Sequence, residues 1–102
     1  MKLKLGRDAK FRIEIDPQFK KDVKRLKRRK KPLEPLRKVL RILAAGNSLS
    51  QKYKDHELSR EWKGSRECHI AIDGLLIYQI ENNVFYIVRT GSHEELFPPP
   101  AN

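Results

Sequence analysis

Between residues 57 and 90 the apolar side chains recur at every second position, in short runs near 57–62, 66–71, 75–80 and 84–90. That period belongs to strands and not to helices. The runs are separated by Lys63-Gly64, Asp73-Gly74 and Asn82-Asn83, and Asp-Gly or Asn-Asn between apolar runs signals a tight hairpin. The second half of the chain is thereby confined to an antiparallel meander of three or four strands.

The first half follows other rules. Phe11-Arg12-Ile13-Glu14-Ile15 alternates like a strand and stops at Asp16-Pro17, a helix N-cap followed by a residue suited to the first helical position. Phe19, Val23 and Leu26 then fall on one helical face, and a second helix after Pro32 and Pro35 carries Leu33, Leu36, Val39, Leu40 and Leu43 before stopping near Gly46-Asn47-Ser48. Two short helices joined by a turn form a helical hairpin. The expected fold is α+β: an N-terminal strand, a helical hairpin and the meander. With 102 residues and no internal repeat, residues 1–102 read as one domain with a folded core of about 11–97 and a flexible proline-rich tail at 98–102.

Charge and cysteine content narrow the function. Cys68 is the only cysteine, so no intrachain disulfide can form and a reducing cytoplasm fits best. No stretch has the apolar core of a signal peptide or the length of a membrane span, so neither export nor membrane association is expected. The formal net charge is +10, and residues 1–45 hold 17 basic and 5 acidic side chains, against 6 and 8 in residues 46–102. Nine of the twelve residues from Lys20 to Lys31 are Lys or Arg. Such a run can be a solvated helix face, but like charges along a helix repel, and an anionic partner relieves them. Phosphate and an acidic protein would both serve.

All three histidines, His56, His69 and His93, lie in the second half at strand ends or in loops. Histidine titrates near neutrality, so two of them can work as general base and general acid. His69 and Asp73 flank the end of one strand and its turn and can face the same end of the sheet, although Asp73 also has a plain reading as a turn residue. The same four side chains could hold zinc, but their spacing matches no short metal motif. Cys68 adjoins His69 and so points to the opposite face, into the core.

The series Tyr53-Lys54-Asp55-His56-Glu57-Leu58, Trp62-Lys63-Gly64-Ser65-Arg66-Glu67-Cys68-His69, Asp73 with Leu76-Ile77-Tyr78, and Arg89-Thr90-Gly91-Ser92-His93-Glu94-Glu95-Leu96-Phe97 closely resembles YafQ-type toxins of the RelE/ParE superfamily. The likeness covers about residues 11–97. It implies a microbial-ribonuclease-like fold and the toxin of a type II toxin–antitoxin system. It further implies a ribosome-dependent endoribonuclease, an mRNA interferase, which works without a metal or other cofactor and is held inactive by a cognate antitoxin. Operator DNA would be met only through the antitoxin complex. Carried over residue by residue, the catalytic set is His56, His69, Asp73 and His93, with Phe97 supporting it. Arg89, Phe97, Lys63 and Arg66, together with Lys20, Lys24, Lys27 and Arg28 of the basic helix, become the expected RNA contacts. Trp62 reads as a core residue.

The chain departs from the pattern in about ten residues ahead of the first strand and in the prolines after Phe97. Two other readings stay open on sequence. One is a ParE-like toxin acting on a protein such as DNA gyrase, a group that lacks the histidine set. The other is a non-catalytic nucleic-acid-binding module that uses the basic helix alone.

Overall fold

In the computed structural model, residues 9–71 and 73–98 are described. Strand β1 (Arg12–Ile15) runs into helix α1 (Pro17–Arg28), where the Asp16 carboxylate accepts a hydrogen bond from the Gln18 amide at 2.7 Å and Pro17 takes the first helical position. Lys30, in the left-handed region at φ 55°, turns the chain into helix α2 (Glu34–Ala44), which ends before Gly46 at φ 81°. Then come a 3-10 turn (Gln51–Tyr53), strand β2 (His56–Glu57), a second 3-10 turn (Arg60–Trp62), strands β3 (Arg66–Ala71), β4 (Gly74–Glu81) and β5 (Val84–Gly91), and a one-turn helix α3 (His93–Leu96). The expectation of a flexible tail falls chiefly on residues 99–102, outside the described residues.

The strands form one five-stranded sheet in the order β1-β5-β4-β3-β2, with β1 parallel to β5 and every other pair antiparallel. The meander is thus present, and β4 and β5 are joined through Asn82-Asn83, both in left-handed conformation as a two-residue hairpin turn requires. The structure settles two points that the sequence reading left open and departs from it in one, the run near 57–62. The N-terminal strand joins the sheet and covers the outer edge of β5, because an uncovered edge would leave a row of unpaired amides and carbonyls. The run near 57–62 is a two-residue strand and a 3-10 turn: Arg60 adopts φ 57°, which ends the ladder. The stretch after Gly91, for which the alternation predicts no element, closes into α3.

The sheet buries apolar side chains on both faces. Phe19, Val23, Leu36, Val39, Leu40 and Leu43 of the helices pack against Cys68, Leu76, Tyr78, Phe85 and Ile87 on one face. On the other, Leu75 and Ile77 pack with Leu96 of α3 and with Leu58, Trp62, Val88 and Phe97. A β-bulge at Val88 shifts the β4–β5 register between Ile77↔Arg89 and Tyr78↔Ile87.

Asp22, a charged group, lies wholly inside this packing. β1 stops at the bond from the Asp16 amide to the Ile87 carbonyl, 2.9 Å, and beyond it the edge of β5 is taken over by α1. There Asp22, fully buried, accepts from the Thr90 amide (3.1 Å) and from Nε and Nη2 of Arg89 (2.9 and 3.0 Å). Burial alone would push its carboxyl up, but the bonds from Arg89, Thr90 and Gln18 outweigh it and hold it below the ordinary value. A carboxyl depressed in the folded state adds stability above its unfolded value, near 3.9, which is lost as pH falls through the folded value. Asp22→Ala should lower unfolding free energy by about 3–5 kcal/mol at pH 7, because it strands Arg89 and a buried amide. In denaturant titrations the gap from the unchanged protein should narrow from pH 5 towards pH 2.

Candidate active site

The second sheet face collects the histidines. Along β3, side chains alternate, so with Cys68 in the core under the helices, Glu67 and His69 stand on the α3 face. β2 pairs His56 with Glu67, and across the sheet Glu67 pairs with Ile77, while His69 pairs with Leu75, which in turn pairs with Gly91. His56, Glu67 and His69 therefore belong to two neighbouring rows of the sheet, and the second row ends where the chain enters α3.

Glu67 is 6% exposed, and its Oε1 lies 3.9 Å from His56 Nε2 and 3.7 Å from His69 Nε2. A proton held by either ring would be balanced by this carboxyl. The other nitrogen of His56, Nδ1, is 2.7 Å from the Lys54 carbonyl, which fixes the ring plane. The segment carrying Lys54 and His56 is anchored through Asp55, which accepts from the Tyr78 hydroxyl at 2.7 Å and from Nε and Nη2 of Arg66 at 3.3 Å each. Burial and the neighbouring Asp55 carboxyl raise the Tyr78 hydroxyl well above its ordinary value, so it stays a donor.

At the far side of Leu75, Ser92 caps α3. Its hydroxyl accepts from the Glu95 amide, and the Glu95 carboxyl accepts from the Ser92 amide, a reciprocal capping box. The turn sets exposed His93 against half-buried Phe97, ring centroids 5.3 Å apart, and Trp62 meets Phe97 edge-on at 6.1 Å. Asp73 is exposed in the reversal between β3 and β4, at the same end of the sheet as Gly91. His69 also lines an open groove of about 490 Å³ with Glu34, Pro35, Lys38, Lys52, Tyr53, Ile70 and Ala71. No group of three or more His, Cys, Asp or Glu among the described residues is disposed to hold a metal ion.

Residues 11–98 match the family described as the bacterial toxin of type II toxin–antitoxin system, YafQ. The chain belongs to the YafQ toxin family. It is 38% identical over 86 residues to the mRNA interferase toxin YafQ of Escherichia coli strain B, covering 83% of this chain and 94% of that protein. The crystal structure of that Escherichia coli YafQ superposes with a TM-score of 0.80 at 37% identity, over 85% of this chain and 98% of the other. The Escherichia coli DinJ–YafQ toxin–antitoxin complex gives 0.81 at 36% identity, over 86% and 98%.

Within this YafQ-family chain the structure sorts the expected site residues. His56 and His69 converge on Glu67, His93 stands with Phe97, and Asp73 occupies the adjoining reversal. Lys20, Lys24, Lys27 and Arg28 are exposed along α1, and Lys63 is exposed after the second 3-10 turn. Arg66 and Arg89 are differently placed: each gives two nitrogens to an internal carboxylate, Asp55 and Asp22 respectively. Trp62 packs on Phe97 in the site wall and not under the helices. Sequence reasoning passed over Glu67, Asp55 and Asp22. Glu67 was signalled by its two-residue spacing from His69 on a half-buried strand, and Asp22 by being the one acid among nine cations.

Tyr78→Phe deletes only the hydroxyl on Asp55 and should cost about 1.5–3 kcal/mol, the range for hydrogen bonds to charged groups, read as a lower urea midpoint. Cys68 is wholly buried, and burial followed by the Asp55 and Glu67 charges pushes its thiol up to about 12. Because the thiolate is the nucleophile, iodoacetamide at pH 8 should label the folded protein at least roughly 10²-fold more slowly than the unfolded chain.

Proposed function

We propose that this chain is an mRNA interferase, an endoribonuclease that cuts translated mRNA on the ribosome and is silenced by a cognate antitoxin in the bacterial cytoplasm. The observation that carries the reading is the convergence of His56 and His69 on the Glu67 carboxyl, on the sheet face where α3 presents His93 and Phe97. Family membership supports it, as does the toxin–antitoxin complex of a relative that shares the fold. Operator DNA would be reached only through the antitoxin.

The chemistry follows from the groups available. A base, Asp73 or His69, takes the proton of the ribose 2′-hydroxyl. The 2′-oxygen then bonds to the adjacent phosphorus, and the bond from phosphorus to the 5′-oxygen breaks. His93 gives that oxygen its proton, leaving a 2′,3′-cyclic phosphate and a free 5′-hydroxyl. The extra negative charge of the phosphorane is met by His56 in its protonated form, with the Glu67 carboxyl 3.9 Å from its Nε2. Since Asp22 already balances Arg89, that arginine serves mainly to anchor the strand that leads into α3. Phe97, held by Trp62, offers a ring face to a base splayed from single-stranded RNA. The exposed cations of α1 supply phosphate contacts that carry no base information.

The purified protein, added to ribosomes translating a defined message, should give codon-phased cuts by primer extension, with 2′,3′-cyclic phosphate ends. His93→Ala should slow cutting by about 10²-fold or more. A wild-type protein that makes no cuts would sink the reading, and undiminished cutting by the variant would remove His93 from the chemistry.

A further inference from the structure

Among the described residues, Glu95 links the basic helix and its C-cap to the segment that carries His93 through charged and polar contacts. Its two carboxyl oxygens have separate partners. Oε1 accepts the Ser92 amide at 2.9 Å and closes the capping box, while Oε2 meets Arg25 Nε of α1 and accepts from Arg29 Nη1 at 3.1 Å. Arg25 reaches on to the buried Asp22, with Nη2 3.2 Å from Oδ1. Its buried Nε and Nη2 sit at ion-pair range of the two carboxylates without the alignment of hydrogen bonds, so the contact is chiefly one of charge. A continuous line of alternating charge therefore runs from Arg89 and Asp22 through Arg25 to Glu95.

Gly91, at φ 155°, passes close to both side chains: a Cβ there would lie 3.0 Å from Arg25 Nη2 and 3.3 Å from Glu95 Oε1. A side chain at the end of β5 would therefore press on the Arg25 nitrogen that faces Asp22 and on the Glu95 oxygen that closes the cap. A helix of four residues is far below the length that holds itself together in water, so α3 needs an outside hold. Leu96 and half-buried Phe97 provide an apolar one by packing with Leu75, Ile77 and Trp62, and Glu95 adds a directional polar tie to the basic segment.

We propose that Glu95 is a positioning residue for the reaction: by capping α3 with one oxygen and tying it to Arg25 and Arg29 with the other, it sets His93 and Phe97 at the height and angle that the cleaved phosphate requires. The proposal rests on the mRNA-interferase reading above for its catalytic consequence, though the mechanical part stands without it. Glu94, the adjacent acid, is exposed and supplies a charge-matched control.

Three variants separate the contributions. Glu95→Ala removes both functions, and Glu95→Gln keeps an acceptor for the Ser92 amide while losing the ion pairs, since Gln also completes a capping box. Glu94→Ala removes one negative charge from the same turn. In single-turnover cutting at saturating ribosomes, Glu95→Ala should fall by about 10–100-fold, the order expected when a reacting group is misplaced by about an ångström. The ribosome concentration for half-maximal rate should hardly move. Glu95→Gln should recover part of the loss, and Glu94→Ala should match wild type. NMR order parameters for residues 93–97 should drop in Glu95→Ala and not in Glu94→Ala. Wild-type rates in Glu95→Ala would overturn the proposal. So would an equal loss in Glu94→Ala, or a loss confined to ribosome affinity. If wild type cuts nothing, the functional reading fails, and the order parameters alone decide the clamp: an unaltered 93–97 segment in a folded Glu95→Ala or Glu95→Gln would refute it.

Discussion

A buried carboxylate at an open strand edge determines how the rest of this molecule is arranged. Asp22 completes β5 where β1 no longer reaches, by accepting the Thr90 amide, and in doing so places a negative charge where water cannot neutralise it. Isolated, such a charge would be prohibitive. Arg89 from the strand and Arg25 from the helix are both drawn to it. Arg25 then needs a second anion for the rest of its fork, and Glu95 provides it. The position of α3 is in this sense a consequence of one acidic residue on the first helix.

The two faces of the sheet divide the labour. The helical hairpin covers one face with an apolar layer built from α1 and α2. The other has a smaller cluster around Leu75 and Ile77, not enough to be closed by a full helix, and the polar side chains of β2 and β3 surround it. Partial cover leaves His56, His69 and His93 accessible while Glu67, beside the first two, stays buried. The bulge at Val88 serves the same division: by adding a residue it turns the end of β5 so that Arg89 can meet α1 while Val88 packs against the Leu75 and Ile77 cluster.

Much of this was legible in the residues themselves. Asp16-Pro17 and Asn82-Asn83 have local causes, a cap and a left-handed turn, and both appear where the sequence puts them. The parallel partner of β1 was not legible, because alternation shows that a segment is a strand and is silent on which edge it meets. The run near 57–62 misled for a related reason: Leu58 and Trp62 do face the same cluster, but through a 3-10 turn and not a ladder. The histidines could be named from motif order, whereas the carboxylates behind the site were harder to see. Glu67 and Asp22 left only faint traces, the spacing from His69 and the isolation among cations, and Asp55 left none, because the sequence does not show which acids turn inward.

That inward turning also explains the charge balance. The second half of the chain has a slight excess of acids, yet Asp55, Glu67 and Glu95 each face a specific cation or histidine. Their charge is used over a few ångströms and adds little to the distant field, because a close ion pair looks nearly neutral from beyond a Debye length of about 8–10 Å. Among the described residues no acid pairs with the exposed Lys20, Lys24, Lys27 and Arg28, so the field that an approaching polyanion meets is that of α1. Arg29 stands between the two regimes, 57% exposed at the C-cap of that helix and bonded to Glu95. The surface that would draw a phosphate chain towards the protein is therefore covalently and electrostatically continuous with the turn that holds His93.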